Sequence, residues 1–386
     1  MAWLSEGVRR RTVAIVAVTG AVVALTGCAP GGVDAKGAKG AEDRETKYRR
    51  VIEDPHPRPA DVIEAAGAPI GVVRASDGSL LLTYEAGNVE DDEGPAATAW
   101  RIIDPQGRTV AEHAEHADAE APRVAFKGVR GGFVRVPSGE GAEGAYGLDL
   151  HGERHKLVVT DTPLRTRPGD VLLAESEPTL VYRPATRTVA PPAGVPDNAA
   201  GLAVDERGTV WSLDQPLSEE PNRVVRQRDG RTLGSVAVPK PYVGGVLTAR
   251  GDTAALSLIR GETLRGLWVT TDSGAHWRTM LAGGIPWKDL ESGSYLLNLE
   301  LLADGRLLVG EEGGPHWLAA DKGNTTFRKL KTPVPFTSFT ADGTTLYGIA
   351  DATTSTYELV KGEGLWISDD GGREWRRYQP RGGGGR

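Results

Sequence analysis

The sequence predicts an all-β protein, a β-propeller of seven four-stranded blades, preceded by an N-terminal signal and a disordered tether. Three observations lead there. Leu267-Trp-Val-Thr-Thr-Asp-Ser-Gly-Ala-His-Trp277 and Leu365-Trp-Ile-Ser-Asp-Asp-Gly-Gly-Arg-Glu-Trp375 are two versions of one motif in a chain with 51 glycines, and a motif repeated at long spacing indicates a repeat architecture. One strand-turn-strand order recurs in seven passages of about forty to fifty residues each. No segment shows sustained helical periodicity.

In each passage an apolar first strand leads to a Gly-bearing turn: Ser76–Ser79, Val129–Gly132, Arg167–Asp170, Glu206–Thr209, Ala249–Asp252, Ala303–Arg306 and Ala341–Thr344. Glycine recurs because these turns need positive φ. A second strand follows each turn, from Leu80–Tyr84 and Phe133–Val136 to Leu307–Val309 and Leu346–Ile349. A third strand and its hairpin come next, as in Trp100–Gly107, Arg223–Gly230 and Trp317–Gly323. Six blades is the alternative count if the third passage, around Leu164 to Pro191, is an irregular insertion.

Four regions are expected: a signal peptide at 1–27, a tether at 28–55, one propeller domain at 56–380, and a disordered tail at 381–386. Arg9, Arg10 and Arg11 precede an uncharged run from Thr12 to Gly27, too short to span a bilayer comfortably and flanked as a secretory signal is. The run closes on Leu25-Thr26-Gly27-Cys28, which resembles the lipobox of bacterial lipoprotein precursors. That resemblance implies that Cys28 is acylated, palmitate included, and becomes the mature N-terminus, on the outer face of a bacterial cytoplasmic membrane. Arg10-Arg11 also resembles a twin-arginine signal, so the export route stays open.

Cys28 is the only cysteine, so the exported chain forms no internal disulfide and relies on its core. From Ala29 to about Arg50 the chain has almost no large apolar residue and is expected to stay disordered. Losing three Arg and one Glu with the signal takes the formal net charge from -7 to -9. That acidity disfavours nucleic acid, and no nucleic-acid partner is expected. A monomer is expected.

The duplicated motif, Thr270-x-Asp272-x-Gly274-x-x-Trp277 and Ser368-x-Asp370-x-Gly372-x-x-Trp375, resembles the Asp-box or BNR repeat, S/T-x-D-x-G-x-x-W. A degenerate third copy runs from Asp321 to Phe327. The resemblance implies the fold of the sialidase-like superfamily, shared with sortilin-type and photosystem-assembly propellers, and a structural role for these eight residues on the rim. Aspartate accepts turn N–H groups, glycine takes the left-handed position, and tryptophan packs into the blade.

Sialidases need three arginines, a Tyr/Glu pair and an acid/base Asp, and begin with an Arg-Ile-Pro motif. Ala68-Pro69-Ile70 stands there instead, and Arg74 lies on the wrong strand position to replace the missing guanidinium. Arg135 and Arg260 read as exposed strand positions. No catalytic residue, cofactor or metal site is assigned. His113/His116 and His151/His155 have metal-like spacing only if helical, and both pairs fall in strand-turn contexts. Glu90-Asp-Asp-Glu93 reads as a flexible acidic loop, and Trp211 as packing. No phosphate loop or Gly-x-Ser-x-Gly elbow is present.

The expected function is therefore a lipid-anchored, non-enzymatic binding module for a protein or glycan partner, with Trp287, in an inter-blade link, as a possible ligand face. The alternatives are a glycan-active hydrolase or lyase of the same superfamily, and an assembly factor for an envelope complex. Replacing Cys28 by Ser is expected to abolish metabolic labelling by palmitate and to shift the protein from the membrane fraction to the soluble one; unchanged labelling would place the lipid elsewhere or nowhere.

Overall fold

The computed structural model describes residues 46–87, 96–117, 125–136, 139–140, 144–173, 176–177, 179–196, 198–216, 220–261, 263–281, 284–286, 297–311, 317–336, 338–350 and 363–378. Cys28, Trp287, Glu90–Glu93 and the tail 381–386 lie outside them. The strands form seven four-stranded sheets plus one two-stranded pair, and the six-blade alternative falls. Blades I to VII occupy 71–117, 125–156, 158–190, 199–237, 243–281, 297–329 and 338–377.

Six blades are sequential antiparallel meanders running from an inner to an outer strand. Each blade is covered on both faces, so alternate residues of one strand enter different seams. Leu81 joins the apolar cluster between blades I and II, while Leu80 and Leu82 join the one between blades VII and I. Likewise Leu308 faces blade VII, and Leu307 and Val309 face blade V. Each such leucine, fully buried, contributes about 2 kcal/mol through removal from water.

Blade III departs from the expected order. Its antiparallel strands are Val171–Leu173, Leu180–Arg183 and Thr188–Ala190, with Val171–Leu173 innermost, and Val158–Val159 pairs in parallel along the outer edge. The stretch expected as its inner strand contains Pro163 and runs into Pro168; proline cannot donate to a ladder. Leu164 instead exchanges backbone bonds with Pro191 and Ala193, at 2.8 and 2.7 Å.

Seams are laced by bonds between the first turns of adjacent blades. Arg207 pairs with Asp252 at 2.6 Å between blades IV and V, and the Ala303 N–H donates to Gly343 at 2.9 Å between VI and VII. Thr166 Oγ1 donates to the Gly208 carbonyl at 2.7 Å between III and IV. Gly208 has φ 75°, and a Cβ there would stand 2.4 Å from the Arg167 carbonyl carbon, so only glycine permits that approach. Between blades II and III, Gly139–Glu140 pairs in parallel with Ser176–Glu177.

The ring closes without exchanging a strand between the chain's ends. Arg74 of blade I meets Asp342 of blade VII at 2.8 Å, and two helices seal the same seam. The tether expected to reach residue 55 is helical over 46–53, and a second helix spans Pro59–Ala66. Tyr48, Val51, Val62, Ala65 and Ala66 are buried with Tyr84, Ala86, Ala97 and Ala99 of blade I and Ile349 and Ile367 of blade VII. Small alanines leave room for helix backbone, and that packing orders a segment whose composition alone does not. Pro59 opens the second helix, and Gly67 at φ 77° ends it with its N–H on Ile63. His116 contacts the Asp54 carbonyl at 2.6 Å and ties the connection to blade I.

Val62→Ala, at a fully buried site, is expected to lower unfolding stability by about 2 kcal/mol. Lys47→Ala, which removes only an exposed pair with Glu64, should cost less than about 0.5 kcal/mol. Urea denaturation checks both, and equal midpoints for Val62→Ala and wild type would detach the helices from the cooperative body.

Candidate functional site

The two repeated hairpins are built alike. Thr270 Oγ1 donates to Asp272 Oδ1 at 2.9 Å and accepts the Gly274 N–H at 2.9 Å; Asp272 Oδ1 also takes the His276 N–H at 2.9 Å. Ser368 donates to Asp370 at 2.8 Å and accepts the Gly372 N–H at 2.8 Å, while Asp370 accepts the Arg373 and Glu374 N–H groups at 2.9 and 3.0 Å. Gly274 and Gly372 take φ 75° and 91°. The His276 backbone N–H, the His276 ring and the Thr270 hydroxyl hold the Asp272 carboxyl down at about 2. The Glu374 N–H and the Ser368 hydroxyl lower Asp370 in the same way.

The two tryptophans point into seams. Trp277 stacks on Trp268 at 4.3 Å and meets Trp211 edge-on at 6.2 Å. Trp375 donates to the Lys331 carbonyl at 3.0 Å and packs near Phe336 at 5.0 Å. Trp211 is buried, its Nε1 3.4 Å from Asp205. In the degenerate copy Asp321 accepts the Thr325 N–H at 2.6 Å, and Asn324, at φ 50°, occupies a left-handed position.

A cluster of arginine, tyrosine and glutamate does assemble, between the outer strand of blade I and the second, third and fourth strands of blade II. Glu115 meets Arg154 at 3.1 Å, Arg135 at 3.6 Å and His113 at 3.4 Å. The Arg135 and Arg154 guanidiniums lie over the Tyr146 ring, at 5.3 and 4.6 Å respectively. His113 and the two arginines hold the Glu115 carboxyl at about 2, whereas burial raises the Tyr146 phenol. The carboxylate is thus locked as an anion and the phenol as a neutral hydroxyl. Arg135, expected as an exposed strand position, is mostly buried here, because blade I covers it. The histidine pairs do not converge: His113 and His116 lie on opposite faces of one strand, and among the described residues no group of His, Cys, Asp or Glu is arranged for a metal.

Glu300 is the residue that motif reading passed over. It lies on Leu297–Leu301, the inner strand of blade VI. Leu299 and Leu301 enter the seam with blade V, so Glu300 points the other way. Lys127 on the inner strand of blade II and Arg250 at the end of that of blade V both act on it, which places the three charges around the ring axis. Crowding by protein pushes its carboxyl up to about 7 against the pull of those cations, although part of the side chain still reaches solvent. The only signal in the sequence is one acid between two leucines. A carboxyl that titrates near neutrality can exchange a proton or meet a cationic group of a ligand.

No protein-family model matches the chain, and no curated protein sequence matches it. Among solved structures, a puromycin-hydrolyzing peptidase of Mycobacterium tuberculosis is similar at 14% identity over 84% of this chain, with a TM-score of 0.46. The chain spans about half, 55%, of that peptidase. Virginiamycin B lyase from Staphylococcus aureus is similar at 11% identity over 74% of this chain and 92% of its own, with a TM-score of 0.46. The β-propeller domain of the Trilobed protease from Pyrococcus furiosus gives 10%, 81%, 96% and 0.49 for the same quantities. The likeness is one of fold.

Folding raises the Glu300 carboxyl from 4.5 to about 7. Between those values the folded chain keeps a proton that the unfolded chain releases, so stability falls as pH rises through that window. Glu300→Gln is expected to remove this slope and to be more stable at pH 8 by roughly 1–3 kcal/mol. Urea unfolding from pH 4 to 8 checks it; an unchanged slope in the variant would assign the proton to another group.

Proposed function

We propose that this chain is a lipid-anchored, extracytoplasmic β-propeller that binds a protein or glycan partner without transforming it. The observation that carries this reading is the state of the Arg/Tyr/Glu cluster. Its guanidiniums are ion-paired to Glu115, and its tyrosine is kept neutral on the outer part of a seam. Arg74, the nearest substitute for the missing first arginine, is likewise held by Asp342. Guanidiniums committed to protein carboxylates add rigidity and leave little charge to grip a substrate acid. The lipobox and the acidic composition support the address. No helix among the described residues is long and apolar enough to cross a membrane; in this reading the lipobox assigns attachment to Cys28.

A second reading, a glycan-active enzyme, is favoured by Glu300 alone, whose near-neutral carboxyl suits a general acid. Glycoside hydrolysis ordinarily requires a second carboxylate facing the first, and the charges acting on Glu300 are those of Lys127 and Arg250.

The body beginning at residue 46 is expected to give saturable signals on an array of envelope glycans or on purified envelope proteins. It should release no sugar from sialosides or surface polysaccharide. Turnover at ordinary enzymatic rates that is lost in Glu300→Gln would overturn the non-enzymatic reading in favour of the second.

A further inference from the structure

We infer that blades III and IV, at the end of the ring that carries the first turns, form a docking surface for an acidic polysaccharide, a linear chain with carboxylates at intervals. The inference rests on the partner-binding reading above and names the chemistry of that partner.

The irregularity of blade III creates the surface. Between Val159 on its outermost strand and Val171 on its innermost, the chain crosses the blade as a strap. The backbone of Leu164 on Pro191 and Ala193, and the Thr166 hydroxyl on the Gly208 carbonyl, hold that strap in place. These bonds use neither the Arg165 nor the Arg167 side chain, and both residues are exposed. Arg165 reaches the last hairpin of blade IV, where its Cγ lies 3.6 Å from the position a Cβ on Gly230 would take. The exposed Arg231 follows that glycine. Arg167 abuts the first turn of the same blade at Gly208, and the exposed Arg187 stands on the hairpin of blade III.

The side chains of these four arginines make no hydrogen bond or ion pair among the described residues. At the same end of the ring Arg108, Arg207 and Arg306 each meet a carboxylate, at 2.6, 2.6 and 2.8 Å. Nearby acids are already committed: Asp170 to Arg183, Glu206 to Arg250, and the buried Asp205 to the Arg207 and Thr209 N–H groups. Asp161 and Asp229 are the exposed acids beside the four arginines, so the patch is positive on a chain of net charge -7. Keeping like charges together costs free energy, and the fold gains no bond from these guanidiniums.

The guanidiniums stand on separate elements and do not converge, which matches single charges repeated along a polymer. The intervening Thr166, Pro168, Gly169, Asp229 and Gly230 include no large apolar side chain to anchor a peptide. The N-terminal helices pack at the opposite end, beside Ala86, Ala97 and His116. In the lipid-anchored reading the patch therefore faces away from the membrane.

Retention of the purified full chain, in detergent, on immobilised polygalacturonate tests the inference. Saturable binding is expected, weaker at high salt, with none on the fully methyl-esterified polymer, which keeps the backbone and lacks the charge. Arg165→Gln combined with Arg167→Gln should weaken it about tenfold. Arg108→Gln combined with Arg376→Gln removes the same charge from exposed, paired positions and should leave affinity within about twofold. If the strap variant fails to fold, Arg231→Gln, on a different element, should still weaken binding about threefold. No saturable retention, equal weakening by the two double variants, or tighter binding of polyglutamate or polyphosphate than of polygalacturonate would overturn it. Neutral glycans or envelope proteins that bind where polygalacturonate does not would overturn this inference alone and leave the partner-binding reading standing.

Discussion

Every blade of this ring must bury both faces of a sheet against its neighbours, and most of the structure follows from that constraint. A strand whose side chains alternate between two seams has no solvent face to fall back on, so apolar residues run almost without interruption through Thr253–Arg260. Ala254 and Leu256 serve the seam with blade IV, and Ala255 the seam with blade VI. A slip of one residue would exchange the two sets and misfit both seams at once. Polar and charged groups are thereby driven to three places: the turns, the outer strands and the axis.

The constraint is met differently where apolar matter runs short. Among the described residues, apolar clusters occupy six seams, and the seam between blades III and IV relies on Thr166, Gly208 and a bond from Gln227 to the Gly194 carbonyl. Nearby, the buried Asp170 is matched by Arg183 at 3.0 and 2.7 Å, which offsets the cost of removing a carboxylate from water. At the closing seam the solution is to add mass: two helices lay Tyr48, Val51 and Val62 onto the alanines of blade I.

The same sorting gives chemically identical groups opposite properties. Asp272 sits in a turn whose N–H groups surround it and is an anion at any physiological pH. Glu300, on an inner strand, is crowded by protein and holds its proton near neutrality. Hairpin aspartates therefore stabilise turns as fixed anions, whereas the near-neutral carboxyl stands on an inner strand. Trp277 follows the same sorting, its ring completing an aromatic stack between blades.

Local signals determined the strands, the seven turns and the form of the repeated hairpins, because turn chemistry and alternation act over a few residues and leave marks in composition. Thr270, Asp272, Gly274 and Trp277, with their counterparts Ser368 to Trp375, are legible for that reason. Three features were decided only by tertiary structure. Residues 46–53 form a helix because blade I covers them; the outer strand of blade III is borrowed from the preceding link because Pro163 and Pro168 spoil the inner one; and Glu300 acquires its proton affinity from the protein packed around it, against the pull of Arg250 and Lys127, about fifty and about 170 residues away in the chain. Each depends on which segments meet in space, and contacts across a closed ring leave no periodic trace in the order of residues.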